Sequence, residues 1–137
     1  MGLQTKRAMK EFQEGRYLEL CKILNNLAGY EIAIDFNSES LIDDSVEPEY
    51  HAGNIEKVFF TPLLQVFEEI TSDDLGKEGL KEILSKIVMK NDSGIYNGNY
   101  CYSLDNGVLT IDHDAHANVE SIDERREALS ELLMGSM

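Results

Sequence analysis

The strongest local signal in the sequence lies in residues 100–113, which read YCYSLDNGVLTIDH. Asn106 and Gly107 at the centre of this run both tolerate the positive φ of a type I′ turn, and β-prone residues flank them on either side. A two-residue loop at this point pairs Asp105 with Val108, Leu104 with Leu109, Tyr102 with Ile111 and Tyr100 with His113. The last three pairs share one apolar and aromatic face, so we predict a β-hairpin over about 95–113.

Helical spacing marks two segments that precede the hairpin. Apolar residues recur every three or four positions over residues 6–28, where Gly15 is expected to kink or split the helix and Gly29 to end it. Thr61-Pro62 is typical of an N-cap followed by the first residue of a helix, because the N–H that proline lacks has no intrahelical partner at that position. We therefore predict a second helix over 61–70.

Further elements follow from capping residues and from alternation. One helix is expected to begin at Ser72 and to include Ile87 in its apolar stripe, and a last helix begins at the capping box of Ser121. Residues 31–36 read EIAIDF, which alternates between apolar and acidic faces and predicts a half-buried strand. Val58–Phe60 is interpreted as a short strand that leads into the helix after it.

These elements together predict an α+β domain. Residues 37–54 are rich in Ser, Asp, Glu and Asn, and we expect them to form an ordered loop. The length of the chain fits a single domain over residues 1–137. We predict a small, mostly antiparallel sheet that packs against four or so helices.

The distribution of charge is the main functional signal. The formal net charge is −14, and the stretch from Tyr30 to Glu56 holds eight acidic residues and no Lys or Arg. Such a field repels nucleic acid and anionic membranes and attracts basic surfaces. The alternative interpretation is that the acidity serves only solubility.

Motifs for catalysis or cofactor binding do not occur in the sequence. There is no Gly-x-Ser-x-Gly elbow, no glycine-rich phosphate loop and no HExxH motif, so we expect no enzyme, no catalytic residue and no cofactor. Cys21 and Cys101 lack the spacing of a zinc site or a disulfide framework and are interpreted as buried thiols of a cytoplasmic protein. No apolar run reaches the length of about 18 residues that a membrane-spanning helix needs.

A weak metal-binding pattern lies at the end of the hairpin. Asp112, Asp114 and His116 share one parity and would hold a hard or borderline cation if the strand continued, whereas His113 points to the other face. We predict no metal site, and the sequence leaves open whether these three residues bind one.

The acidic stretch supplies the candidate binding residues, because carboxylates match Lys and Arg clusters and tyrosine is enriched at binding hot spots. These residues are Asp35, Glu39, Asp43, Asp44, Glu47, Glu49 and Tyr50. The hypothesis is an acidic inhibitor or immunity-type protein, bacterial or from a phage, that blocks a basic protein partner such as a toxin nuclease. The alternatives are a regulatory or assembly subunit with apolar contacts, including a homo-oligomer, and a small metal-dependent enzyme.

Overall fold

A four-stranded sheet organises the chain, and the computed structural model describes residues 2–137 of it. The strands are β1 (Ala33–Phe36), β2 (Lys86–Lys90), β3 (Tyr102–Asp105) and β4 (Val108–Asp112), in the order β1-β2-β4-β3. β1 pairs with β2 and β2 pairs with β4 in parallel, and only β3 and β4 are antiparallel. The α+β class is confirmed, but the sheet is mixed, so the prediction of a mostly antiparallel sheet was wrong.

The difference comes from β2, which the sequence pattern assigned to a helix. Ile87 and Met89 are fully buried in this strand, whereas the helix before it ends at Ile83 and Leu84 is already extended. Ile87 fits the apolar spacing of that helix as well as the alternation of a strand. Because β2 lies between two parallel neighbours, its pairing depends on contacts far apart in the sequence.

Residues 2–137 also contain seven α-helical segments. They are α1 (Leu3–Glu14), α2 (Arg16–Ala28), α3 (Ser38–Leu41), α4 (His51–Ile55), α5 (Thr61–Ile70), α6 (Asp74–Ile83) and α7 (Ile122–Gly135). Gly15 splits the predicted first helix into α1 and α2, and Gly29 ends α2 with a φ of 82°. The predicted loop over 37–54 contains two of the short helices and a 3₁₀ turn at Pro48–Tyr50.

One continuous helical segment from His51 to Ile70 forms the centre of the core. α4 runs through a π-helical turn, Glu56–Phe60, directly into α5, so the predicted strand at Val58–Phe60 was wrong. One side of this segment is exposed and carries Lys57, Gln65, Glu68 and Glu69. Several of its other side chains have no exposed area, namely Ile55, Val58, Phe59, Phe60, Leu63, Val66 and Phe67. Three consecutive bulky apolar residues suit a buried helix as well as a strand, which is why the pattern was ambiguous.

The antiparallel pair of the sheet is joined by the turn at Asn106-Gly107. Both turn residues have positive φ, 50° and 80°, and the strands pair Asp105 with Val108, Leu104 with Leu109 and Tyr102 with Ile111. The strands are shorter than the predicted hairpin over 95–113. Tyr100 precedes β3 and is 75% exposed, so its predicted pairing with His113 does not form.

The two faces of the sheet differ in burial. Ile87, Met89, Leu109 and Ile111 are buried on the face that meets the helical core. The opposite face is partly exposed, with Asp35 on β1 across from Val88 on β2. Among residues 2–137, no helix combines the length and the apolar character needed to cross a membrane.

A buried arginine connects α7 to the central helical segment. Arg125 is 1% exposed, and its guanidinium donates to the main-chain carbonyls of Asn118 and Val119 at 2.8 and 2.7 Å. A longer contact of 3.5 Å reaches the carbonyl of Lys57 in the π-helical turn. In a π-helix the donor to that carbonyl would be residue 62, which is a proline and has no N–H. Arg125 therefore supplies a donor where the helix cannot.

We predict that Arg125→Met lowers the free energy of unfolding by about 2–4 kcal/mol, because the two partly buried carbonyls of Asn118 and Val119 each lose a donor at about 1–3 kcal/mol. Chemical denaturation followed by circular dichroism measures this change. Arg126→Met is the matched control, since Arg126 is partly exposed and forms a long surface ion pair with Asp123, at 3.6 Å. The control is expected to stay within about 0.5 kcal/mol of the wild type. Equal losses for the two variants would contradict the role of Arg125.

Candidate protein-binding surface

The acidic loop, residues 43–50, joins the short helix α3 to α4 and has a defined conformation. The Asp43 carboxylate accepts hydrogen bonds from the Ser45 N–H at 2.9 Å and from the Ser45 hydroxyl at 2.6 Å. These bonds, the hydroxyl first, hold the pKa of Asp43 below its usual value. Asp43 is thus fixed in its charged form by its own turn.

A further hydrogen bond connects the acidic loop to the residue that precedes α1. The Gly2 N–H donates to the Asp44 carboxylate at 3.1 Å, and this bond lowers the pKa of Asp44. Glu47 and Glu49 are exposed, and among residues 2–137 neither has an ion-pair partner. Tyr50 is 59% exposed at the end of the 3₁₀ turn. The loop therefore presents carboxylates and one aromatic ring to solvent.

The remaining two predicted binding residues lie on other elements. Asp35 is exposed on the open face of the sheet, in the edge strand β1. Glu39 is exposed on α3 and lines a shallow groove together with Lys6 and Lys10 of α1. The structure thus brings five of the seven predicted residues into one loop and places Asp35 and Glu39 outside it.

The basic residues near the chain start neutralise a different part of the acidic stretch. Arg16 forms a two-pronged ion pair with Glu56, with nitrogen–oxygen distances of 2.9 and 3.0 Å, and a further contact with Glu19. The hydrogen bond to Glu56 raises the pKa of Arg16 above its usual value. Glu56 is therefore compensated within the chain, whereas Glu47 and Glu49 are not.

A buried histidine forms hydrogen bonds with the main chain of the acidic loop. His51 is 1% exposed, and its Nε2 accepts a hydrogen bond from the Asp43 N–H at 3.2 Å. Its Nδ1 lies 3.2 Å from the Glu47 carbonyl oxygen, which only accepts. The tautomer with its proton on Nδ1 satisfies both partners, so His51 connects Asp43 at the start of the loop with Glu47 at its middle.

A second histidine packs against the first. The rings of His51 and His116 lie 4.4 Å apart, in an edge-to-face arrangement. His116 Nε2 lies 3.0 Å from the Leu41 carbonyl, and its Nδ1 lies 3.0 Å from the Asn54 amide nitrogen. This pattern also fits a neutral ring, and it joins the segment after β4 to both sides of the acidic loop. Sequence reasoning missed the pair, because no local signal connects two histidines so far apart.

The side chains of the candidate metal ligands form hydrogen bonds with groups of the protein itself. Asp112 accepts from the Asp92 N–H at 2.9 Å and from the Ser93 hydroxyl at 2.9 Å, whereas Asp114 accepts from the His116 N–H. Within the part of the chain that the structure describes, no group of three or more His, Cys, Asp or Glu side chains is arranged to hold a metal ion. Asp112 instead shapes the loop after β2.

The thiols and the apolar residues have structural positions. Burial raises the pKa of the Cys101 thiol to about 12, and it also raises the pKa of Cys21. A thiol that stays protonated is a poor nucleophile. Phe59, Phe60 and Phe67 of the central helical segment are fully buried, and Leu64 in the same segment is half-buried. They belong to the core.

Comparison with known proteins finds no matching family, no matching curated protein and no matching solved structure.

The histidine pair predicts how stability depends on pH. Burial lowers the pKa of His116 below 6.5, with His51 adding to the effect, while the Leu41 carbonyl and the carboxylates of Asp114 and Asp43 oppose it. A lowered pKa means that the fold favours the neutral ring. The stability that His116 contributes is therefore complete above about pH 6.5 and is lost as the pH falls below that value.

The test compares wild type with His116→Gln, which keeps a donor for the Leu41 carbonyl but loses the acceptor for Asn54. We expect the variant to be less stable by about 1 kcal/mol at about pH 7.5, and the gap to narrow as the pH approaches about 5. Chemical denaturation at each pH measures the gap, and taking the difference cancels the titration of groups that the two proteins share. A gap that stays constant over this range would show that His116 titrates alike in the folded and unfolded chain.

Proposed function

We propose that this protein is a binding domain that uses the acidic loop to block a basic partner, as an inhibitor or immunity protein blocks a toxin nuclease. The observation that carries the proposal is the unneutralised charge of an ordered loop. Glu47 and Glu49 are exposed and have no ion-pair partner among the described residues, while Tyr50 stands beside them. A preformed anionic surface accelerates association with a basic one and loses little conformational entropy on binding.

The anchoring of the loop supports the same proposal. His51 and Asp43 hold the main chain through neutral and charge-assisted hydrogen bonds, so the carboxylates have a fixed arrangement. A nuclease presents Lys and Arg to its phosphate substrate, and a compact domain of net charge −14 is suited to cover such a surface. Two free thiols fit a reducing compartment, so we place the protein in the cytoplasm of a bacterium, or in a cell infected by a phage.

The proposal predicts that the double variant Glu47→Lys, Glu49→Lys loses its partner. We choose these two residues because Asp43 and Asp44 hold the loop through their carboxylates, so that reversing them would also change its conformation. The immobilised protein is exposed to native cell lysate at low and at high salt, and the retained proteins are identified by mass spectrometry. The wild type should retain a stoichiometric basic protein that high salt removes. The variant should bind this protein at least about tenfold more weakly.

The matched control is Glu68→Lys, Glu127→Lys, which changes the net charge equally but alters exposed residues of α5 and α7. This control variant should retain the partner at low salt. In a separate assay, the purified partner should lose its nuclease activity when wild-type protein is added. Equal binding by the two double variants would show that only the total charge matters. A wild type that retains no basic protein would refute the proposal.

A further inference from the structure

The edge strand β1 has hydrogen-bonding groups that no other strand uses. In the described part of the chain, β1 pairs only with β2. The N–H groups of Ala33 and Asn37 donate to the carbonyls of Ser85 and Met89 on the β2 side, at 3.3 and 3.0 Å. Since the main-chain groups of successive residues in a strand point to opposite edges, those of residues 34 and 36 point away from β2.

This open edge is short and bounded. The N–H of Ile32 also points outward, but the side-chain oxygen of Asn25 accepts it at 3.0 Å. On the other side, α3 begins at Ser38 with Asn37 as its N-cap. The N–H and C=O groups of Ile34 and Phe36 remain, which is enough to pair with a short extended segment but not to template a long sheet.

An apolar groove runs alongside the same strand. It has a volume of about 560 Å³ and lies between α2 and β1, with Tyr17, Leu18, Cys21 and Ile34 among its lining residues. Leu18 is 57% exposed there, although it is a large apolar residue of a helix. Side chains of an added strand that point to this side of the sheet would therefore enter an apolar environment.

The other side of the edge is acidic. Asp35 lies between Ile34 and Phe36 and projects to the open face of the sheet, whereas Glu31 is one of the residues that line the groove. Alternate side chains of an added strand would therefore meet the Asp35 carboxylate on the face opposite the groove.

We propose that the free edge of β1 receives an extended segment of the basic partner as an additional strand, in which apolar side chains alternate with Lys or Arg. The apolar side chains fill the groove beside α2, and the basic side chains face Asp35. Main-chain groups of Ile34 and Phe36 supply the hydrogen bonds, as in other cases of strand addition to a sheet edge. This inference rests on the proposed function for the charge of the partner and adds the way in which it is recognised.

Charge argues against a second copy of the chain at this edge. Pairing of two β1 strands would bring Asp35 and Glu31 of both molecules to one interface, where like charges across a strand pair are destabilising. Each molecule also carries a net charge of −14. The edge therefore fits a basic segment, while the same acids oppose self-association.

The test is an NMR titration of the isotope-labelled full-length protein with a short peptide of alternating Val and Lys. A peptide of the same composition, with all its Val residues before its Lys residues, has the same charge but cannot place them on opposite faces. We expect the alternating peptide to shift the amide signals of Ile34 and Phe36 and to slow their hydrogen exchange. It should bind about tenfold more tightly than the block peptide.

Two protein variants complete the test. Asp35→Lys should weaken binding of the alternating peptide by about tenfold, whereas Asp105→Lys should leave it unchanged. Asp105 is the matched control, because it is an exposed acid on β3, the strand at the opposite edge of the sheet. Equal binding of the two peptides, equal effects of the two variants, shifts confined to the acidic loop, or no shift up to about 1 mM peptide would each overturn the inference.

Binding of the partner captured from the lysate distinguishes this inference from the proposed function. If Glu47→Lys, Glu49→Lys loses the partner but Asp35→Lys keeps it with unchanged affinity, the proposed function stands and strand addition is wrong. If the alternating peptide adds to β1 but no basic protein is retained from the lysate, the edge binds strands and the blocking function is wrong.

Discussion

The central helical segment lacks one main-chain hydrogen-bond donor, and a side chain from another helix supplies it. Pro62 has no N–H, and its ring crowds the carbonyls of the preceding turn, which an α-helix does not tolerate in its interior. The π-helical turn at Glu56–Phe60 widens the helix just before the proline, and the Thr61 hydroxyl bonds back to the Glu56 carbonyl at 3.2 Å. Arg125 then approaches the Lys57 carbonyl from α7. The core is therefore assembled around a helix that depends on α7 for its completion.

The same dependence links the core to the acidic loop. His51 begins α4, so the residue that anchors the loop is also the first residue of the central segment. His116 comes from the segment between β4 and α7, and Arg125 holds the carbonyls of residues 118 and 119 only a few positions later. The conformation of the acidic loop thus depends on His116, and Arg125 of α7 holds the segment that carries His116 as well as completing the central helical segment. A change that loosens this connection would affect stability and the presentation of the carboxylates together.

Short-range features of the sequence were predictable and long-range features were not. The turn at Asn106-Gly107 and the helix end at Gly29 follow from the positive φ that these residues permit, which is a local property. β2 was missed because Ile87 satisfies two periodicities, and only its parallel neighbours decide between them. Val58–Phe60 was misassigned for a similar reason, since three consecutive buried apolar residues fit a helical turn as well as a strand.

The same distinction between short-range and long-range features applies to the candidate site. Composition was enough to find the stretch that contains the acidic loop, because eight acids and no Lys or Arg lie between Tyr30 and Glu56. An ordered loop was expected there, but the contacts that produce the order were not visible, since the bond between His116 and the Leu41 carbonyl joins residues 75 positions apart. This order bears on function. Exposed carboxylates that serve only solubility need no fixed positions, and concentrating like charges in one loop opposes folding. Here Asp43, Asp44 and His51 use five hydrogen bonds to hold such a loop in one conformation. The fixed anionic loop and the open edge of β1 both support the proposed binding role.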